Sequence, residues 1–373
     1  MHYNHDQEVF YRMALSLVEG IGPRISRTLI AHLGSASQVF RTPLRELMRI
    51  PDMGSIRAER VKRFKEFKKA EDEIEFALKN DVSLHTFTDS SYPSRLRECV
   101  DGPLVLFTKG EGAIDHERTV AIVGTRYASD YGIRVTEEMV SGLSELNVVT
   151  ISGLAYGIDI CAHRNSLNCN IPTFCVFAHG MDKVYPSQHR RIADQMLETG
   201  GWITENFSGT MPDRDNFPKR NRIIAGLSDL VIVVEAARKG GALITARFAN
   251  EYNRDVMAVP GNIRSTFSEG CNLLIKSHLA SLFSEISDIS YIMGWEKEGS
   301  GSKITGIQKQ LFIADDDPQR VVYEILQNAG DKVELHTLLK TAGMPAERVL
   351  PILLQLQLKG VIRELPGKQY RIY

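Results

Sequence analysis

The sequence predicts an α/β protein, a parallel sheet covered by helices on both faces, with a helical region before it and a small winged-helix module after it. Three observations lead there. Short apolar runs of strand length recur between 119 and 259, segments of helical period separate them, and the stretches on either side lack that alternation. A chain of 373 residues suits two or three domains and buries a sizeable core without disulfide staples.

Residues 1–117 read as a helical domain plus connector. Apolar and charged positions follow a helical period from Val9 to Leu33 and from Leu44 to Leu78. Two turns interrupt them, Gly20-Ile21-Gly22-Pro23 and Ile50-Pro51-Asp52-Met53-Gly54, followed by Arg24 and Arg27 or by Arg57 and Arg60. This is a helix-hairpin-helix pattern, in which amide groups at a helix start can hold a phosphate. Residues 41–69 carry ten Lys or Arg against four acids. A solvated face of a small helical bundle accounts for those charges equally well.

Residues 118–293 form the α/β domain. Its strands are Thr119–Gly124, Val148–Ser152, Pro172–Ala178, Trp202–Glu205, Leu230–Glu235 and Asp255–Val259. Helices Ile133–Leu146, Ile158–Asn168, His189–Glu198, Asn221–Ser228 and Leu243–Tyr252 lie between them. Near-continuous apolar strands of this kind are buried on both faces, and such sheets bind ligands beyond the carboxyl ends of their strands. Residues 294–318 read as a polar, glycine-containing linker. Residues 319–373 read as three helices and a hairpin turning at Pro366-Gly367, a winged helix. The third helix is rich in leucine and offers only Arg348 and Gln355 for base edges, which favours a structural or protein-contact role over sequence readout.

Composition narrows the function. Five cysteines form no CxxC pair and no metal-finger spacing, so no metal is expected, and buried thiols in a reducing cytoplasm are. No apolar run approaches a membrane span, and the opening MHYNHDQEVF lacks a signal pattern. The net charge of −1 excludes a polybasic chain but not a local basic patch.

The loops after the strands carry the chemistry. Gly124-Thr125-Arg126 ends the first strand: the glycine admits an anion to the backbone, and Arg126 offers a cationic fork suited to a phosphodiester. The loop is not GxGxxG and no acid follows the second strand, so a nicotinamide or flavin is disfavoured and no cofactor is expected. Ser152-Gly153 opens a second glycine-rich turn, after which Asp159 and His163 share a helix face, either as an acid–base pair or as groups that hold the loop. Lys219-Arg220-Asn221-Arg222 places three cations at a helix start, against the helix dipole, which favours an anion there. Gly240-Gly241 opens another helix, with the Thr245 hydroxyl one turn in.

These residues form a recognisable set. GTR at 124–126, SGLAYGID at 152–159, HGMDKVYP at 179–186, FPKRNRIIAGLS at 217–228, GGALITA at 240–246, VPG at 259–261 and EGCNLLI at 269–275 resemble the DNA-processing protein A family, also called DprA or Smf. The resemblance spans about 170 residues in unbroken order. It implies an extended Rossmann-like sheet, an N-terminal helical (SAM-like) domain and a C-terminal winged helix. It also implies a cytoplasmic, non-enzymatic homodimer that binds single-stranded DNA and loads the RecA recombinase during natural transformation. The family's glycine–small–arginine loop falls on Gly124, Thr125 and Arg126, and its arginine–asparagine–arginine helix start on Arg220, Asn221 and Arg222. Ser187 stands where the family often has a basic residue, with Arg190 or Arg191 as the available substitute.

A second class remains open. The same Rossmann variant is similar to that of the nucleoside-monophosphate phosphoribohydrolases (the LOG group), whose loop reads PGGxGTxxE. Here the stretch is KGGALITARFA, with Arg247-Phe248 where a catalytic carboxylate would be needed. The expected site is therefore a binding site without catalytic residues: Gly124, Thr125, Arg126, Ser152, Gly153, Arg190, Lys219, Arg220, Asn221, Arg222, Gly240, Gly241 and Thr245.

Overall fold

The computed structural model describes residues 2–295, 318–329, 332–358, 361–365 and 368–372. They divide into two compact units, Met1–Glu298 and Gly299–Tyr373. Most of the expected linker and the turn at Pro366-Gly367 lie outside the described residues.

The first unit is built on nine strands: β1 Ser83–Thr86, β2 Val105–Lys109, β3 Thr119–Val123, β4 Val149–Ser152, β5 Thr173–Val176, β6 Gly201–Thr204, β7 Leu230–Val233, β8 Asp255–Ala258 and β9 Ser281–Leu282. Their order is β1-β2-β6-β5-β4-β3-β7-β8-β9. Pairing is parallel from β6 through to β9, while β2 and β1 are antiparallel to their neighbours. All six strands expected from sequence are present. Residues 83–109, expected in the helical region, instead contribute β1 and β2 to the sheet. Both are short, and β1 is half-exposed, so neither shows the continuous apolar run that marks a buried strand.

Alternation along the central strands assigns the two faces. Ala121, Val123, Val231 and Val233 join a core with helices Asn216–Leu227, Ala242–Glu251 and Glu269–Lys276. Val120, Ile122, Leu230 and Ile232 join the opposite core with helices Asp130–Leu143, Ile158–Asn168 and Ile286–Met293. The N-terminal helices make a third core that also contains Phe107 of β2, Cys175 of β5 and Trp202 of β6, so they are continuous with that end of the sheet.

The two hairpin turns of the N-terminal region bind each other. Arg57 donates to the carbonyls of Gly20 (3.1 Å) and Asp52 (2.5 Å), and Arg60 donates to Glu19 O at 3.2 Å and pairs with its carboxylate. Lys62 closes on the carbonyls of Phe40 and Thr42. Of the cations that suggested phosphate binding here, Arg57, Arg60 and Lys62 are engaged within the domain.

The second unit packs helices Pro318–Ala329, Leu335–Ala342 and Ala346–Leu358 on a three-stranded antiparallel sheet, with β10 Val333–Glu334, β11 Ile362–Leu365 and β12 Gln369–Ile372 in the order β10-β12-β11. Leu353 and Leu356 of the third helix are buried in its core, whereas Leu350 and Leu354 are exposed.

Candidate nucleic-acid interface

The chain runs outward from β3 through β4 and β5 to β6, then crosses back through helix Asn216–Leu227 to lay down β7 beside β3. Strand order therefore reverses at the β3/β7 pair, and a crevice opens beyond the carboxyl ends of strands at such a switch point. A cleft of about 700 Å³ lies there, between the loops after β3 and β7 and the start of the crossover helix.

Gly124-Thr125-Arg126 forms its floor and one wall. The Thr125 amide donates to Glu235 O at 2.7 Å, and Thr125 O accepts from the Ile158 amide at 3.1 Å, which pins the loop from both sides. The buried Glu235 carboxylate also accepts from the amide (2.9 Å) and hydroxyl (2.6 Å) of Ser129, the residue that caps helix Asp130–Leu143. Arg126 is exposed, with its guanidinium 5.0 Å from the centre of the Phe217 ring. That contact orients the side chain without neutralising it.

Gly157 starts the helix after β4 at φ +76°, and a Cβ there would collide with the carbonyl of Thr125, so this turn requires glycine. The buried Asp159 carboxylate accepts from the amides of Gly153 (3.1 Å) and Ala155 (3.4 Å), and burial pushes its pKa up. His163 is fully buried with Nδ1 2.7 Å from the Thr173 hydroxyl. The two side chains thus hold the loop and the strand behind it.

The crossover helix begins at Asn216, five residues before the sequence expectation, so the cations sit within its first two turns. Two of them point inward. Arg220 is 4% exposed and donates to Gly153 O at 2.8 Å and to Val176 O, with Nε 3.2 Å from Asn221 Oδ1. Burial pulls its pKa down to about 10, and neighbouring Asp159 opposes that shift. Gly153 fits under this guanidinium because it has no Cβ. Arg222 donates to Asp101 O at 2.6 Å and pairs with Glu205 at the end of β6. The anions that offset the helix-start cations are thus supplied by the protein itself.

The cleft gathers Gly124, Thr125, Arg126, Arg220, Asn221, Gly240, Gly241 and Thr245 of the expected set. Five others do not line it. Lys219 is exposed beside the lining residue Pro218, without a partner among the described residues. Ser152 is buried, with its hydroxyl donating to Ile122 O at 2.6 Å, and Gly153 lies beneath Arg220. Arg222 faces Glu205 and Asp101. Arg190 forms a two-pronged contact with Asp194 at 2.9 Å and lies over Trp202, in a separate shallow depression with Ser187 and Arg191. Tyr127, Tyr185, Arg214 and Phe217, outside the expected set, also line it. Tyr127 and Tyr185 are exposed and Phe217 half-exposed, so the walls alternate ring faces with Arg126 and Arg214. An aromatic within two residues of a cation, in Arg126-Tyr127 and Phe217-Pro218-Lys219, is the sequence signal for them.

A cationic, aromatic-walled cleft at the switch point of a Rossmann-like sheet, in a chain that also carries a winged helix, defines a ligand-binding protein of the doubly wound class. Residues 83–294 match the family model described as DNA recombination-mediator protein A, and 310–368 match the DprA winged helix domain. Protein Smf of Synechocystis is 30% identical over 98% of this chain and 99% of its own length. Protein Smf of Escherichia coli is 36% identical over 75% of each chain. The solved structure of DNA processing protein A from Streptococcus pneumoniae matches with a TM-score of 0.64 and 31% identity, over 77% of this chain and 96% of that one. That of DNA processing protein A from Helicobacter pylori, described for its single-stranded DNA binding mode, matches with a TM-score of 0.52 and 26% identity, over 57% and 98%. The chain belongs to the DNA recombination-mediator protein A (DprA/Smf) family.

Proposed function

We propose that this protein binds single-stranded DNA in the switch-point cleft and, as a cytoplasmic homodimer, passes it to the RecA recombinase during the processing of incoming DNA. The observation that carries the reading is Arg126: an exposed guanidinium held over Phe217 at the mouth of a glycine-lined cleft. A phosphate can meet the free edge of the guanidinium while the adjacent base stacks on Tyr127, Tyr185 or Phe217. Glycine loops bring backbone amides close without offering side chains to base edges, so binding is expected to be nearly independent of sequence. Support for DNA as the ligand comes from the family and from the Helicobacter pylori relative. RecA loading and natural transformation come from the family resemblance alone. Self-association is supported by exposed apolar side chains near the β9 edge of the sheet, Leu273, Leu279 and Leu282.

No chemical step is assigned to the cleft. Asp159, its buried carboxylate, is occupied by two backbone amides. At the position where the phosphoribohydrolase reading needs an acid, Arg247 pairs with Glu251 and Phe248 stacks on Tyr252. Fluorescence anisotropy with labelled oligothymidylate and with a duplex, across salt concentrations, tests the proposal. Tighter single-strand binding with a steep salt dependence is expected, and release of free base from nucleoside monophosphates would favour the enzyme instead.

A further inference from the structure

We propose, resting on the cleft reading above, that the bound strand does not end at the cleft. It continues over the loops after β7 and β8, where Arg238, Lys239 and Arg264 contact its phosphates.

With Arg220 and Arg222 engaged inside the fold, the cations left for phosphate on this edge of the sheet are those whose side chains have no internal partner. Arg238, Lys239 and Arg264 are exposed, and their side chains make no ion pair or hydrogen bond among the described residues. Some surface arginines are already neutralised, Arg63, Arg190 and Arg247 each pairing with an acid four residues away, whereas Arg238 and Arg264, like Arg214 in the cleft, are not. Three unpaired cations on two adjacent loops repel one another unless an anion lies among them. The nearest exposed acid in sequence is Glu269, at the start of the following helix and five residues from Arg264.

The surface between the cleft and these cations is continuous. Ala237 and Phe267 line the cleft, and each lies within three residues of one of the proposed contacts. The Ala236 amide donates to Phe267 O at 2.7 Å, and the Gly270 amide donates to Ala236 O at 2.8 Å, which stitches the two loops together. From the other side, the Tyr131 hydroxyl donates to Pro260 O at 2.8 Å. Exposed Tyr131 and Ile263 border the same surface and give bases an apolar face to rest on. A strand leaving Arg126 past Gly240 therefore meets cations and apolar faces in alternation, the pattern of a path that follows a backbone without reading sequence.

The test compares oligothymidylates of roughly 6 and roughly 20 nucleotides in salt titrations of the full-length protein, since single-strand binding sites commonly span about 4–16 nucleotides. Removing three phosphate contacts in an R238A/K239A/R264A variant should make the slope of log affinity against log salt shallower by about 2 on the longer strand. Affinity for the short strand should stay at the unaltered level. An Arg264→Glu variant should likewise weaken the longer strand more than the shorter. An unchanged slope on the longer strand, or equal losses on both, would overturn the extended path. If the unaltered protein binds neither oligonucleotide, the cleft reading itself fails; if it binds both equally, only the extension fails.

Discussion

The guanidinium of Arg220 donates to the carbonyl of Gly153 at 2.8 Å, across 67 residues of sequence, and so braces the loop after β4 against the crossover helix. The charge that most resembles a DNA contact in sequence is a structural strut. Arg126, 94 residues earlier, is an exposed cation facing the cleft, as is Arg214.

This division predicts opposite outcomes for neighbouring arginines. Arg220→Ala leaves Asp159 and two carbonyls without their buried partner, and Arg222→Ala does the same to Glu205. Each should lower unfolding free energy by about 3 kcal/mol, as breaking a buried charge network does. Chemical denaturation followed by circular dichroism reads this directly.

Arg126→Ala and Lys219→Ala should leave unfolding untouched, because both side chains are exposed. Each should instead make the salt slope of single-strand binding shallower by about 0.7. A folded Arg126→Ala, Lys219→Ala double variant that binds with unaltered slope would remove the cleft from consideration.

Phe217→Ala removes a ring face and the platform under Arg126. A lost base stack costs about 1–3 kcal/mol, and Phe217→Leu should not restore it, whereas Phe217→Tyr should. Anisotropy measured at one salt concentration for all three variants separates stacking from simple hydrophobic filling.

His163 supplies a pH dependence. Burial, with Arg220 and His189 nearby, holds it neutral down to about 3, whereas the unfolded residue titrates near 6.5. Below about pH 6.5 the unfolded chain takes up a proton that the fold excludes, so this contribution to stability is present above that value and is lost as pH falls towards 3. His163→Asn should flatten the pH dependence of unfolding in that window while single-strand affinity at neutral pH is unchanged.

The winged-helix unit should be dispensable for single-strand binding. Its third helix divides its leucines between the core and an exposed face and offers little to a phosphate backbone. A chain ending at Trp295 should lose only a few-fold in affinity. A loss near a hundredfold, about 2.7 kcal/mol, would make that unit a principal DNA contact.

Sequence by itself determined the alternation of β3 to β8 with their helices, because strands buried on both faces must be apolar throughout, and the glycine loops at their ends announce where a ligand can approach. It also picked out Arg126, whose place directly after a strand is a local property. Tertiary structure alone decided which cations remain available. Arg220 and Arg222 are turned inward by carbonyls and a carboxylate contributed by Gly153, Val176, Asp101 and Glu205, none of them a sequence neighbour. The same holds for β2, whose antiparallel place beside β6 depends on a partner about a hundred residues away, and for β1, which reaches the sheet only by pairing with β2. A buried cation needs a partner wherever the fold supplies one, and sequence adjacency does not show where that will be.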